Sequence, residues 1–313
     1  MIIVCHTEFG DVVNKTVISS EDYLVGVEKC VSNLVNIADR YGTKVTFAVC
    51  PEVAKYLPKN IKHEMGLHIH PGRTEWRRID TGWYAGDRYL KEHCKQSIDS
   101  TVLRDYPYEE QLDMIRTGKE YLEEELGIEV KTFVAGRWSL NNDTIKALIE
   151  TGITHDCSAP AHAKPCHYDW SQLPRICMPY HPGREDYQKE GELPLLIIPI
   201  SRMLFAGNVT PEVVPLVGLP WLKACFLEYH KQNMPLFHIC LHSFCMTEPY
   251  LISAMDDFLN FFSEHKDVNF KFASEIREYD EITPKAKVLP YLLVGVNRNI
   301  ISSFIKMKIL RKN

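Results

Sequence analysis

His63-Glu64-Met65-Gly66-Leu67-His68-Ile69-His70-Pro71-Gly72 joins a short apolar run, two histidines one residue apart and a Pro-Gly break. In an extended strand the side-chain period is two, so His68 and His70 project from one face. The break puts them at the strand end, where the active sites of α/β barrels lie. Two imidazoles there can share one metal ion. Zinc normally takes three or four protein ligands, so such a site needs a donor from elsewhere in the chain. The competing reading is an ordinary hydrogen-bonded histidine pair.

Outward from this motif, β-like apolar runs alternate with helical patterns, which marks a parallel sheet with crossover helices. The predicted strands are Ile2 to Thr7, Lys44 to Ala48, Glu64 to His70, Lys131 to Ala135, Thr154 to Ser158, Leu195 to Ile200, Leu236 to His242 and Asn269 to Phe272. Helices are predicted over Glu21 to Tyr41, Tyr108 to Leu126, Asn142 to Thr151, Val214 to Gln232 and Tyr250 to His265. Asn141-Asn142-Asp143 is a ready cap for the third, and Gly127 and Gly152 suit left-handed helix ends. Eight strands suffice for a closed or nearly closed barrel, so a single α/β domain over residues 1–283 is expected, followed by a tail, 284–313.

Two segments are too long for simple connections. Residues 71–107 carry Trp76, Arg77, Arg78, Trp83, Tyr84 and Tyr89 and read as a substrate lid or as a surface loop. Residues 159–194 are punctuated by six prolines and carry His162, His167, Trp170, Tyr180 and His181. Proline at that density predicts an ordered irregular loop, with rings suited to stacking on a sugar.

The 313 residues are 45% hydrophobic and 25% charged, a composition that builds a sizeable core. A net charge of −5 argues against nucleic acid as a partner. The apolar start Met1-Ile2-Ile3-Val4 has no basic segment or cleavage site, and ten cysteines without a CxxC pair read as reduced thiols. A cytoplasmic location is the expectation. Cys240 and Cys245 read as small buried hydrophobes.

Glu8 stands two residues after His6, so both share one face of the first strand. Asp11, after Gly10, can turn back toward the same place. On the strand ending Phe237-His238-Ile239-Cys240-Leu241-His242, His238 reads as a buried histidine and His242, at the end, as a site residue.

Here the chain resembles the polysaccharide deacetylases with the NodB homology domain, carbohydrate esterase family four, and especially a divergent intracellular branch. The matching pieces are Cys5-His6-Thr7-Glu8, Glu64-Met65-Gly66-Leu67-His68-Ile69-His70-Pro71, Phe133-Val134-Ala135-Gly136-Arg137-Trp138-Ser139-Leu140 and Leu241-His242-Ser243-Phe244, in the family's order. The resemblance implies a distorted (β/α) barrel of seven or eight strands that hydrolyses an N-acetyl group on a sugar. The residue pattern itself makes Glu8, His68 and His70 the expected ligands of a divalent metal, zinc in the first instance, and His6, His242 and Arg137 the expected catalytic residues. Trp138, Asp11, Trp76 and Tyr180 are assigned to substrate binding. Three positions depart from the family: His6 stands for the usual aspartate, Val134 for the usual arginine, and Gly72 where the second metal histidine normally falls.

The metal would polarise the acetamide and acidify water, with His6, unperturbed pKa near 6.5, as base and His242 as acid. Arg137 would bind a sugar oxygen, phosphate or carboxylate, or else close the rim by a salt bridge, while Trp138 would stack on a sugar or pack. The expected substrate is a nucleotide- or lipid-linked N-acetyl sugar of surface-polysaccharide assembly. The departures keep two alternatives open: a silent barrel that binds a glycan or an assembly partner, and a metal-free amide hydrolase using Glu8 and His6. Residues 292–313 alternate apolar and basic side chains, as in a helix lying on an anionic membrane surface, although a helix packed on the barrel fits the same pattern. The oligomeric state is left open.

Overall fold

The computed structural model describes residues 1–10, 12–13, 16–17, 20–79, 82–203 and 207–279. Within it Ile2–Thr7 forms β1, buried along its whole length. A strand covered on both faces reads as a continuous apolar run, and Ile2-Ile3-Val4-Cys5 is one. The other strands of the main sheet are β2 (Thr46–Val49), β3 (Glu64–Ile69), β4 (Thr132–Ala135), β5 (His155–Asp156), β6 (Leu196–Ile197) and β7 (His238–His242). All pair in parallel, in the order β6-β5-β4-β3-β2-β1-β7.

The two edges are not joined by a regular ladder. Residues 198–203 and 207–209 bridge them: Ser201 N–H donates to His238 O (3.2 Å), His238 N–H to Ser201 Oγ (2.9 Å) and Cys240 N–H to Val209 O (3.2 Å). The result is an α/β distorted barrel, as expected. The eighth predicted strand, Asn269 to Phe272, is irregular backbone held by the first residue, whose amine donates to Asn269 O and whose carbonyl accepts Lys271 N–H. The strands predicted at Thr154 to Ser158 and Leu195 to Ile200 shrink to two residues each.

Helices α1 (Ser20–Arg40), α2 (Arg88–His93), α3 (Tyr108–Leu126), α4 (Asn142–Glu150), α5 (Val214–Val217), α6 (Leu219–Lys231) and α7 (Pro249–Ser263) complete the described fold. Asn141 caps α4 by accepting Thr144 N–H, and Gly127 ends α3 in the left-handed region. The helix predicted over Val214 to Gln232 is broken at Gly218, whose φ of 81° and ψ of 150° no helix contains.

Strand alternation separates two apolar layers. Ile3, Cys5, Phe47, Leu67, Phe133 and Ile239 face outward into the main core, which also holds Leu34, Leu122, Ile145, Phe258 and Phe262 from the helices. Ile2, Val4, Ala48, Val134, Cys157 and Leu196 fill the interior. The interior's lower end is plugged by Glu64, whose carboxylate accepts the Thr46 and Thr132 hydroxyls, and by Ala273 above Thr46 Oγ1. The upper end, where the strands finish, is left for chemistry. Among the described residues no helix is long and apolar enough to cross a membrane. Asp11 and the tail 284–313 lie outside the described residues.

Candidate metal centre

Register decides which side chains meet at the upper end. His6 on β1 lies beside His242 on β7 and Ala48 on β2, Ala48 lies beside Gly66 on β3, and His68 lies beside Val134 on β4. The even-numbered residues of β1 and β3 share the interior face, so His6, Glu8, His68 and His70 converge there. Small residues at 48 and 66 leave the imidazoles room.

Glu8, His68 and His70 are the one group of three potential metal ligands among the described residues. His70 Nε2 lies 2.9 Å from Glu8 Oε2 and 3.1 Å from His68 Nε2, and His68 Nε2 lies 3.9 Å from the same carboxylate oxygen. Donors bound to zinc at about 2.0–2.2 Å sit roughly 3–3.5 Å from one another, so the two His70 separations match and the His68–Glu8 pair would close by about 0.4 Å around an ion. Two imidazoles and a carboxylate are also a donor set that catalytic zinc takes, leaving a position open. His68 Nδ1 donates to Val134 O (2.8 Å), which fixes its tautomer and turns the Nε2 lone pair toward the cluster. Val134, where the resembling family carries arginine, thus contributes its carbonyl.

Gly72 could not take the family's second histidine. It sits at φ 98°, and a Cβ there would lie 2.6 Å from Ser100 O. The strand alternation that presents His70 supplies the imidazole instead.

The charges are arranged around Glu8. Burial pushes its carboxyl up, but the His70 and His242 charges and the His70 hydrogen bond outweigh burial and hold it at about 2. Burial first, and then its histidine neighbour, depresses His68 to about 3, so it offers a lone pair across the physiological range. For His242 burial acts downward, yet the Glu212 carboxylate raises it to about 9. Glu212 accepts His242 N–H (2.5 Å) and Nδ1–H (3.0 Å), and His242 Nε2 lies 3.7 Å from Glu8 Oε1. His242 is therefore a cation at neutral pH, aimed at the carboxylate of the metal group.

His6 differs from expectation. It is buried, its ring centroid 4.9 Å from that of His68 and 4.8 Å from that of His242, and its Nε2 has no hydrogen-bond partner among the described residues. Burial, followed by the charge of His242, pushes it well below 6.5, so the near-neutral basicity expected of it does not hold in this environment. Trp138 stands edge-on to His6 at 6.1 Å and edge-on to Tyr168 at 5.8 Å. Trp76 reaches the rim: with Phe244, which stacks on His242, its ring closes over Gly10.

Two predicted residues stand apart. Arg137 is buried and turned to the loops, donating to Thr101 Oγ1 (2.8 Å) and His167 Nδ1 (3.1 Å) with its guanidinium 4.4 Å from the Tyr84 ring centroid. It ties the 71–107 segment to the 159–194 segment. Tyr180 is buried, with its hydroxyl donating to Tyr187 O (2.8 Å) and its backbone bridged to Ile197, so it packs the long loop. His238 is the buried histidine anticipated, with Nδ1 near Pro199 O.

Glu212 escaped the sequence reading. Its only signal is Thr210-Pro211-Glu212 at the start of a helical turn, where an acidic residue normally serves the helix itself. Gly136 escaped as well: a Cβ there would strike Ile69 O and lie 2.8 Å from His70 Nδ1.

Comparison with known sequences finds no matching family profile and no matching curated relative. Solved structures do match. An inferred polysaccharide deacetylase from Mycobacterium smegmatis superposes with TM-score 0.56 at 18% identity, over 88% of this chain and 88% of that one. A probable polysaccharide deacetylase from Pseudomonas aeruginosa PAO1 gives 0.56 at 16% identity, over 88% of each chain. Puue allantoinase gives 0.56 at 15% identity, over 88% of this chain and 87% of that one. At this level of identity the match establishes architecture: the chain has the NodB homology, carbohydrate esterase family four fold of the polysaccharide deacetylases.

Proposed function

We propose that this chain is a cytoplasmic, metal-dependent carbohydrate N-deacetylase acting on a nucleotide- or lipid-linked intermediate of surface-polysaccharide assembly. The observation that carries the reading is the convergence of Glu8, His68 and His70, with His70 Nε2 2.9 Å from Glu8 Oε2 and 3.1 Å from His68 Nε2, beside a cationic His242. Zinc is the metal proposed, and when bound it would polarise the acetamide carbonyl and lower the pKa of water. His68 presents its Nε2 lone pair, His70 Nε2 stands 3.1 Å from it, and Glu8 supplies the charge. His242 holds a proton on Nε2 for the departing amine, and Glu212 keeps it there. His6, beside both His68 and His242, is the group placed to accept a proton. Trp138 and Trp76 offer faces for the sugar, and Asp11, outside the described residues, is proposed as a further substrate-binding residue. The domain reading of 1–283 with a membrane-touching segment at 292–313 belongs to this proposal, and the net charge of −5 leaves nucleic acid out of it.

The test is metal content and acetate release for the parent and for His68→Ala with unchanged circular dichroism. Near-stoichiometric zinc and acetate release that both vanish in the variant support the reading, whereas acetate release unchanged by the substitution rejects the assigned site.

A second reading has one specific observation behind it: the residue in the usual aspartate position, His6, is so desolvated that it is a feeble base. In that reading the barrel binds a glycan or partner without turnover, since a fold alone does not carry an activity. Tight binding of an N-acetyl sugar with no acetate released would select it.

A further inference from the structure

A cleft of about 530 Å³ opens in the 71–107 segment, lined by Arg73, Thr74, Glu75, Arg77, Lys91 and Asp99. Three cations there meet two carboxylates, and one carboxylate is shared. Asp99 Oδ2 pairs with Arg73 Nε and lies 3.4 Å from Arg77 Nη1, while Asp99 O accepts from Arg77 Nη2 at 3.2 Å. A single acidic residue therefore orients two guanidinium groups and leaves positive charge over. The Arg73 side chain is 64% exposed, so its head group meets solvent inside the cleft.

The cleft is anchored to the metal centre. Arg73 is three residues beyond His70, a chain span of at most about 11 Å. Asp87 donates its N–H to His70 O (2.7 Å) and caps α2, the helix that carries Lys91. Gly86 N–H donates to Arg73 O, so both walls hang from the strand end that presents His70. An acetamide held at His68 and His70 would place the rest of its sugar, and whatever the sugar is attached to, toward one side of that short span.

Resting on the deacetylase reading, we propose that this cleft binds the diphosphate that links the substrate sugar to its carrier. Guanidinium forks match phosphate oxygens in geometry as well as charge, and Lys91 adds a point charge at the far wall. Glu75 and Asp99 offset part of this charge and leave the cleft positive. It favours an anionic group over a neutral glycan, and the attraction weakens with salt. A nucleoside diphosphate and a polyprenyl diphosphate share this chemistry, and what lies beyond the phosphates separates them.

Calorimetry on the full chain in EDTA, which keeps metal out of the measurement, would use sodium pyrophosphate, UDP and farnesyl diphosphate. Pyrophosphate is expected to bind, and Arg73→Gln and Lys91→Gln each to weaken it about tenfold or more. Both side chains reach solvent, so circular dichroism should be unchanged. UDP tighter than pyrophosphate would identify a nucleotide carrier, and farnesyl diphosphate tighter would identify a lipid. Absence of pyrophosphate binding, or equal binding by both variants, overturns the cleft. Acetate release by a protein indifferent to pyrophosphate would overturn the cleft and leave the deacetylase reading intact. Diphosphate binding through Arg73 and Lys91 without acetate release from any diphosphate-linked N-acetyl sugar would do the reverse.

Discussion

Glu212 takes two hydrogen bonds from one residue, His242: its Oε1 accepts the backbone N–H at 2.5 Å and the ring Nδ1–H at 3.0 Å. The first sets where the β7 end stands, and the second turns the ring so that Nε2 faces Glu8. The same carboxylate is the largest influence raising His242 to about 9 against the downward push of burial.

Glu212→Gln should therefore keep the geometry and lose the charge. His242 would titrate nearer its ordinary 6.5, so an acid-dependent rate would begin to fall at lower pH than in the parent. A pH–rate profile for acetate release, or the titration of the His242 ring by NMR, checks this. An alkaline limb that stays where the parent has it would remove His242 from the role of acid.

Gly136 and His70 make the second prediction. A methyl group at 136 would collide with Ile69 O and lie 2.8 Å from His70 Nδ1, so Gly136→Ala must move the β4 end or the imidazole. Displacing a ligand's support costs metal affinity on the order of 10–100-fold. Overpacking typically costs about 1–3 kcal/mol in stability. Zinc titration alongside thermal melting separates the two effects. Unchanged zinc affinity would show that the β4 end gives way while the His70 imidazole keeps its place, against this prediction.

Much of this site could be read before any coordinates, because strand alternation is a local rule: His6 with Glu8 and His68 with His70 follow from a period of two. The residues that tune them could not. Glu212 arrives from the connection before α5, and Gly136 matters only because β4 approaches β3 closely. Arg137, next to Trp138, invited a substrate role, yet at φ 55° its backbone is left-handed and its side chain is held by Thr101 and His167. The continuous helix expected over Val214 to Gln232 fails for a local reason, Gly218 followed closely by Pro220, which apolar periodicity outweighed in the reading.

Arg137 gives the third prediction. Its planar fork meets Thr101 with one nitrogen and His167 with the other while the group lies over Tyr84, and a lysine ammonium cannot reproduce that arrangement. Arg137→Lys should leave zinc content near the parent's and expose the 71–107 and 159–194 segments to limited proteolysis. The Michaelis constant should rise more than kcat falls. Parental resistance to proteolysis would show that the loops do not depend on this clamp.

Asp156 supplies a test of the fold that is independent of catalysis. Its carboxylate is buried outside the metal centre, accepting the Ser158 N–H and hydroxyl, and burial raises its pKa from 3.8 to about 7 despite those bonds. The native state therefore binds this proton more tightly than the unfolded chain does. Stability from this group is complete below pH 3.8, declines as pH rises toward 7, and is lost above it. A difference of that size corresponds to up to about 4 kcal/mol. Asp156→Asn keeps an acceptor for Ser158 and removes the titration. The variant should melt higher than the parent at pH 8, and the gap should narrow at pH 5.5, where the parent's carboxyl is protonated in the folded state. Differential scanning calorimetry at the two pH values measures this directly. A variant less stable than the parent by the same margin at both would mean that Asp156 acts through its hydrogen bonds alone, with no burial of charge at neutral pH.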